Sequence, residues 1–411
     1  MDGLLSFPGG FQMRRIAIFV LLTGCFALAQ HQDSDKIGDV RALYDGKLLP
    51  DVQVNTFRHI DRLFPSRKIA RGKTVHPLPK SPIQLTDVEF TAGNRKHDLA
   101  DFLSSDRVAG LLVIKDGRIA LEDYELGNTE KSRWVSWSMA KSICSTLAAA
   151  ALKDGYFSSL DDPLTKYLPE LAGGAYGKAT VRNVLQMSSG VKWDETYTNP
   201  KSDRRHMLDL QIGQKPGEII RFLGSLPNAG EPGTIWKYST GETQMISAVI
   251  HAAIKRPLAD YLSEKIWSRY GMEEDGTWWL DSPNGQEIGG SGLSATLRDY
   301  GRFGQFVLDG GKIGNDQVVP EGWFAEAGSS KIIGGKPQDY GYMWWTYGPT
   351  AAPVHQGAFR ATGIFGQGIY INPREHVVIV VLSARSKPSG AAALNQEDFF
   401  AGVISALNKP L

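Results

Sequence analysis

From Ser138 to Leu152 the chain reads SMAKSICSTLAAAAL, with one charged residue, Lys141. A helix this apolar has no face to give to water, so it must lie at the centre of the fold with other elements wrapped around it. Ser138 is a good N-cap residue type, and Asp154-Gly155 supply a stop, with Gly suited to the left-handed C′ position. The lysine does not fit this picture. In the first turn it faces the positive end of the helix dipole, which costs a few tenths to ~1 kcal/mol. Burying an unpaired ammonium costs far more and drives the pKa down. Ser138 and Lys141, three residues apart, share one helix face. A lysine that gives up its proton easily can take the hydroxyl proton of that serine, and the helix N-terminus helps stabilise the resulting charge. The rival reading of this stretch alone is a lysine that snorkels to the surface.

The rest of the chain sets broad limits. It has 411 residues, 42% hydrophobic and 22% charged, an ordinary globular composition with room for two or three lobes or one core with an insertion. Lys+Arg number 45 against Asp+Glu 44, a net charge of +1, so no charge excess points to nucleic acid or an anionic membrane. Met13-Arg14-Arg15 followed by the apolar run Ile16–Ala29 reads as a secretory leader over residues 1–29, too short to be a comfortable membrane span. The expected product is exported, periplasmic or secreted. Leu22-Thr23-Gly24-Cys25 offers the alternative of a lipoprotein anchored through Cys25. The only other cysteine, Cys144, reads as a small core residue in the apolar helix. The eight histidines show no metal-ligand spacing, and no cofactor is expected.

Along the chain, residues 30–85 read as an irregular, Pro-containing arm. Two apolar runs around Asp116-Gly117, within 108–124, predict a β-hairpin. Residues 156–275 are mostly helical and turn-rich, with a capped helix over Thr180–Gly190 and a longer one from the Tyr238 region to about Lys255. Leu297–Leu308 predicts another amphipathic helix. Gly368–Ile371 and Val377–Leu382 predict a second hairpin through Asn372-Pro373, and residues 395–408 a final helix. Strands come early and late, with helices between. The economical architecture is an α/β fold: an antiparallel sheet built from both chain ends, flanked by helices, with a helical lobe inserted at about 156–290 in a domain spanning 86–411.

A serine nucleophile also needs a proton relay and an oxyanion hole. Tyr238, after the Pro232-Gly233 turn and at the mouth of a helix, is the relay candidate, although a packed aromatic is the plainer reading of that position. A tyrosine beside a cationic lysine would lose its proton more easily.

The motifs SMAK, PG-x-x-W-x-YST, GGSGLSATLRD and FRATGIFGQGIYINP, in this order over roughly residues 100–408, resemble the class C β-lactamase-like serine hydrolases, an S-x-x-K family. DETYTNP (194–200), YGYMWWT (340–346) and GIFGQ (363–367) are similar to its 6-aminohexanoate-dimer hydrolase branch. The resemblance implies a β-lactamase/transpeptidase-like fold and an amidase or esterase working through an acyl-enzyme. It implies Ser138 as nucleophile, Lys141 as the base that takes its proton, and Tyr238 as the shuttle to the leaving group. The backbone N–H groups of Ser138 and Ile364 would form the oxyanion hole. Tyr197, Thr240, Trp345 and Thr362 would contact the substrate, a small-molecule amide or ester, with Trp344 a further aromatic at the cleft.

Two departures stand out. Thr240 occupies the place of an asparagine, and Ala361-Thr362-Gly363 the place of Lys-Thr-Gly. A second frame for that third motif, at His355-Gln356-Gly357, stays open. In the first frame the cation that holds a penicillin carboxylate is missing, so penicillins are expected to be poor substrates. The alternatives are a penicillin-recognising D-amino-acid peptidase or β-lactamase, or a sensor that is acylated without turnover. Oligomeric state is not legible in the sequence.

Overall fold

The structure is a computed structural model that describes residues 36–409. The leader and Cys25 therefore lie outside the described residues. At the centre is a six-stranded antiparallel sheet in the order Trp345–Thr346, Phe359–Gly363, Gln367–Asn372, Val377–Ser383, Val108–Lys115, Arg118–Tyr124. The two ends of the chain meet inside it, where Val380 pairs with Leu112 and Val381 with Leu111. Both predicted hairpins form. At the first, Asp116 (φ 50°) and Gly117 (φ 72°) take the two left-handed positions a tight turn requires.

The run VVIVVL is apolar at every position because the sheet is covered on both faces. Val378, Val380 and Leu382 face the core that contains the central helix. Val377, Ile379 and Val381 face a second core with Phe102, Phe399 and Val403. The Leu297–Leu308 helix covers the first face, and the C-terminal Gln396–Leu407 helix the second.

The apolar stretch forms the helix Met139–Lys153, with Met139 through Ala151 buried. Its internal hydroxyls are satisfied locally. Ser142 donates to the Met343 carbonyl (2.7 Å), Ser145 to the Tyr342 carbonyl (2.7 Å) and Thr146 to the Ser142 carbonyl (2.8 Å). The YGYMWW loop thus supplies the acceptors for Ser142 and Ser145, and the helix's own backbone the one for Thr146. The Thr240–Ile254 helix packs alongside.

A second, four-stranded sheet runs in the order Ser66–Ile69, Gly276–Trp279, Leu293–Thr296, Arg133–Val135. Its last strand leads directly into Ser138. Two expectations change here. Residues 36–85 are not simply irregular: they carry helices Val40–Tyr44 and Pro50–Arg58 and the edge strand Ser66–Ile69. Phe57, fully buried, puts its ring 5.5, 5.4 and 5.1 Å from those of Trp134, Trp137 and Phe365. The sequence hides this because one aromatic per helix in a polar segment leaves little periodicity. The Thr180–Gly190 helix is short, Val181–Leu185 with a Thr180/Asn183 capping box, since Met187 (φ 57°) and Gly190 (φ 82°) leave the helical region. Among the described residues, no helix is long and apolar enough to cross a membrane.

Candidate active site

Ser138 stands at the N-cap of the central helix, yet its side chain makes no capping bond. The hydroxyl faces Lys141 instead, with Oγ 2.9 Å from Nζ. The lysine is 1% exposed. Its Nζ has two further neighbours, Thr240 Oγ1 at 3.0 Å and the Gly290 carbonyl at 3.1 Å. Burial pulls its pKa down to about 7, with Arg204 acting in the same direction and Glu195 opposing.

These contacts fix the direction of the hydrogen bonds. The Gly290 carbonyl can only accept. Thr240 spends its own hydroxyl proton on Glu195 Oε1 (2.5 Å), so toward Lys141 it too can only accept. A neutral amine has two N–H groups and one lone pair. Both N–H groups are committed, and the lone pair is left facing Ser138. The arrangement sets the lysine to receive the serine proton.

Glu195 escaped the sequence reading. It accepts from the Thr240 backbone N–H (2.8 Å) and from Trp193 Nε1 as well as from the Thr240 hydroxyl. Its only signal in the sequence was its place within DETYTNP, two residues before Tyr197. The threonine at 240 now has a physical account. One hydroxyl serves as acceptor for the lysine and donor to the glutamate, a pairing that asks nothing of an amide.

Tyr238 lies beside the pair, its ring centroid 5.2 Å from Lys141 Nζ and stacked on Trp345 at 5.4 Å. The expectation that the lysine would make it more acidic is overturned. Burial, reinforced by Glu195, pushes its pKa above the ordinary tyrosine value, against the opposing pull of Ser138 and Arg204. With its pKa lowered to about 7, the lysine is not held as a permanent cation beside the ring. The pair therefore holds a base at Lys141 and a protonated phenol at Tyr238, the two states that accepting and then donating a proton require.

The cleft above these groups has a volume of about 390 Å³. Ser138, Tyr197, Tyr238, Trp345, Thr362 and Ile364 all line it. Thr240 lies beneath, 1% exposed, in contact with Lys141 rather than with the cleft. Trp344 is not in the cleft. It is fully buried, edge-on to Phe359 at 5.2 Å, just before the strand Trp345–Thr346 begins. His355 is buried too. Its ring nitrogens meet the Tyr370 hydroxyl (2.9 Å) and the Glu397 carbonyl (3.1 Å) in the second core. Of the two frames for the third motif, Ala361-Thr362-Gly363 is the one whose Thr and Gly line the cleft.

Ile364 follows the strand Phe359–Gly363 where it turns into Gln367–Asn372. A Cβ on Gly363 would lie 2.6 Å from the Ser136 carbonyl oxygen, so only glycine lets this strand run so close to the nucleophile loop. The two bulky residues beside the candidate oxyanion donors, Trp137 (φ 45°) and Phe365 (φ 62°), adopt left-handed backbone. Such residues cost about 1–3 kcal/mol and persist where packing over-determines them. Their rings pack on each other at 5.5 Å and on Phe57. Gln367 ties the turn to its surroundings, meeting Trp134 Nε1 (3.0 Å), the Ile364 carbonyl (3.2 Å) and the Ser383 carbonyl (2.7 Å).

Known proteins agree with this architecture. Residues 100–402 match the family described as Beta-lactamase. A 6-aminohexanoate-dimer hydrolase of Paenarthrobacter ureafaciens is 27% identical over 347 residues, covering 81% of this chain and 85% of its own. Among solved structures, a candidate 6-aminohexanoate-dimer hydrolase from Bacillus anthracis superposes with a TM-score of 0.77 at 24% identity, covering 87% of this chain and 95% of that one. A family VIII carboxylesterase gives 0.57 at 15% identity, covering 75% and 94%. The fold is that of the β-lactamase/transpeptidase-like proteins, and the relatives named above are hydrolases.

Proposed function

The chain belongs to the β-lactamase family, and from that membership we propose that it cleaves an amide or ester bond through an acyl-enzyme on Ser138. The observation that carries the reading is the lone pair of Lys141, left facing the Ser138 hydroxyl once Gly290 and Thr240 have taken its N–H groups. Lys141 removes the hydroxyl proton as Oγ attacks the carbonyl carbon. The backbone N–H groups of Ser138 and Ile364 hold the developing oxyanion. Tyr238 gives its proton to the departing nitrogen or oxygen and is reprotonated through Lys141. Water then enters, gives a proton back along the same path, and releases the acid.

Trp345, Tyr197 and Tyr238 supply broad aromatic walls with few polar demands, which suits an extended, partly apolar chain. Short-chain activated esters should be good substrates and linear amides such as 6-aminohexanoate oligomers slower ones. Penicillins and cephalosporins should be poor, because position 361 places a buried methyl where a lysine would serve them. Comparing kcat/KM for p-nitrophenyl butyrate, a 6-aminohexanoate dimer and nitrocefin on one preparation tests the order. Nitrocefin turning over fastest would reject it. The acyl-enzyme itself is tested by intact mass after mixing with small amides and esters, with Ser138→Ala as control. We place the mature protein outside the cytoplasm with its leader cleaved after Ala29. N-terminal sequencing of exported protein would instead find a lipidated Cys25 if the lipoprotein alternative holds.

A further inference from the structure

We propose that a cavity beside the catalytic cleft, sharing none of its lining, is a second binding site, and that it holds a short ω-amino acid by its ammonium group on Glu242. The inference goes beyond the hydrolase reading and does not depend on it. The cavity has a volume of about 170 Å³, and Met187, Val191, Trp193 and Ile235 give it largely apolar walls. Trp193 also donates its Nε1–H to Glu195, so the site lies one ring away from the catalytic residues.

Glu242 is placed for something other than its own helix. Ser239-Thr240-Gly241-Glu242 has the S-x-x-E spacing of a capping box, in which the glutamate folds back on the Ser239 N–H. Among the described residues only half of that box forms. The Glu242 N–H donates to Ser239 Oγ (3.1 Å), while the carboxyl group turns to Ser189, whose hydroxyl donates to Oε1. Ser189 Oγ also accepts the Val191 N–H (3.1 Å), so this hydroxyl is fully used. Glu242 is 3% exposed, and its Oε2 has no hydrogen-bond partner among the described residues. A buried carboxyl oxygen left this way is costly unless a ligand meets it.

The groups that face this carboxyl decide which ligand fits. Ser189 is neutral. Tyr176 keeps its proton, because its burial and the Glu242 charge both raise its pKa. The cations Lys192 and Lys237 are exposed, on the outer side of the cavity, and Lys237 acts on Asp194 as well. Burial pushes the Glu242 pKa up to about 8, with Ser189 opposing. An ammonium at the inner end gives Oε2 a charge-assisted donor and draws the carboxyl into its ionised form. Methylenes then run along the apolar walls, and a carboxylate at the outer end meets the two lysines that would repel a plain amine. A molecule with those two ends and an apolar middle is a short ω-amino acid.

The test is titration calorimetry of the full-length protein with 6-aminohexanoate, hexylamine and hexanoate. 6-Aminohexanoate should bind tightest. Hexylamine should be about 2- to 5-fold weaker, since exposed ion pairs add little, and hexanoate at least about tenfold weaker. Glu242 is mostly protonated at pH 7 and ionised in the complex, so binding of 6-aminohexanoate should release close to one proton, read from heats in buffers of different ionisation enthalpy. Its affinity should rise about tenfold from pH 6 to 7 and level off above about 8. Glu242→Gln, of the same shape, should weaken binding at least about tenfold and abolish the proton release. Ile235→Trp places a larger ring at an exposed wall position, where folding is not at stake, and should also weaken binding by narrowing the cavity. Hexanoate binding as tightly as 6-aminohexanoate, or no proton release at pH 7, overturns the proposal. So does wild-type affinity in both variants, which would put the ligand elsewhere, or no binding heat up to about 10 mM ligand.

Discussion

Lys141 and His355 make an instructive pair. Each is a titratable group in a segment that the motifs offered as functional, each is buried, and burial lowers the pKa of each. Their surroundings differ. Both ring nitrogens of His355 are spent on the Tyr370 hydroxyl and the Glu397 carbonyl, and the ring stacks on Tyr347 at 4.9 Å. Every bond it makes is internal to the second core. Lys141 has two fixed acceptors and one remaining lone pair, and that lone pair meets a hydroxyl at the edge of a cleft. A buried ionisable group is therefore not a site by virtue of burial. It becomes one when its partners leave one valence over, pointed at something that reacts.

The contrast can be broken in several ways. The largest effect should come from Ser138→Ala, which removes the nucleophile while an alanine at the helix start keeps the fold. Turnover of p-nitrophenyl butyrate should drop by about 10³-fold or more, with an unchanged circular dichroism spectrum. Residual activity within tenfold of wild type would reject the assignment. Lys141→Arg should lose roughly 10²- to 10⁴-fold, because a guanidinium does not release its proton near neutral pH. An active arginine variant would remove the base role.

Glu195→Gln should cost roughly 10- to 100-fold, for a directional reason. The amide oxygen is needed by the Thr240 N–H and by Trp193, so the NH₂ would face the Thr240 hydroxyl and donate to it. The threonine would then be free to donate to the lysine lone pair, turning it from Ser138. Loss of the negative charge should also move the acidic limb of the pH profile to lower pH, since Glu195 raises the lysine pKa. A limb that stays in place argues against this role.

The limb itself is the fourth test. Activity needs the neutral amine, so kcat/KM should fall about tenfold per unit as pH drops below the Lys141 pKa of about 7. The same shift has a consequence for stability. In the unfolded chain this lysine titrates near 10.5, so between about 7 and there the unfolded state binds the extra proton, and this group's contribution makes stability rise with pH. A flat profile between pH 5 and 8 would reject the depressed lysine. The smallest effect on catalysis should be that of His355→Gln. Two broken internal hydrogen bonds should lower stability by about 1–3 kcal/mol, read from denaturant midpoints, while kcat/KM stays within about threefold. A collapse of kcat with stability unchanged would restore His355 to the site and reverse the comparison.

The sequence by itself determined a good deal. An apolar helix with one lysine in its first turn could only be central, and Ser138 and Lys141 had to share its face. The two hairpins, the Leu297–Leu308 helix and the final helix were legible because their periodicity and turn residues are local. Three things were decided only by the tertiary structure. Which way the hydrogen bonds run through Lys141 depends on Gly290, Thr240 and Glu195, drawn from three separate segments. That Tyr238 keeps its proton depends on its own burial and on Glu195, brought beside it from another segment. That Phe57 braces the turns beside Ser138 and Ile364 depends on the Pro50–Arg58 helix packing against Trp134, Trp137 and Phe365, far from it in the chain. Periodicity reports whether a residue faces the core. It carries no information about which distant donor, acceptor or charge will be waiting there, and that sets protonation state and bond direction.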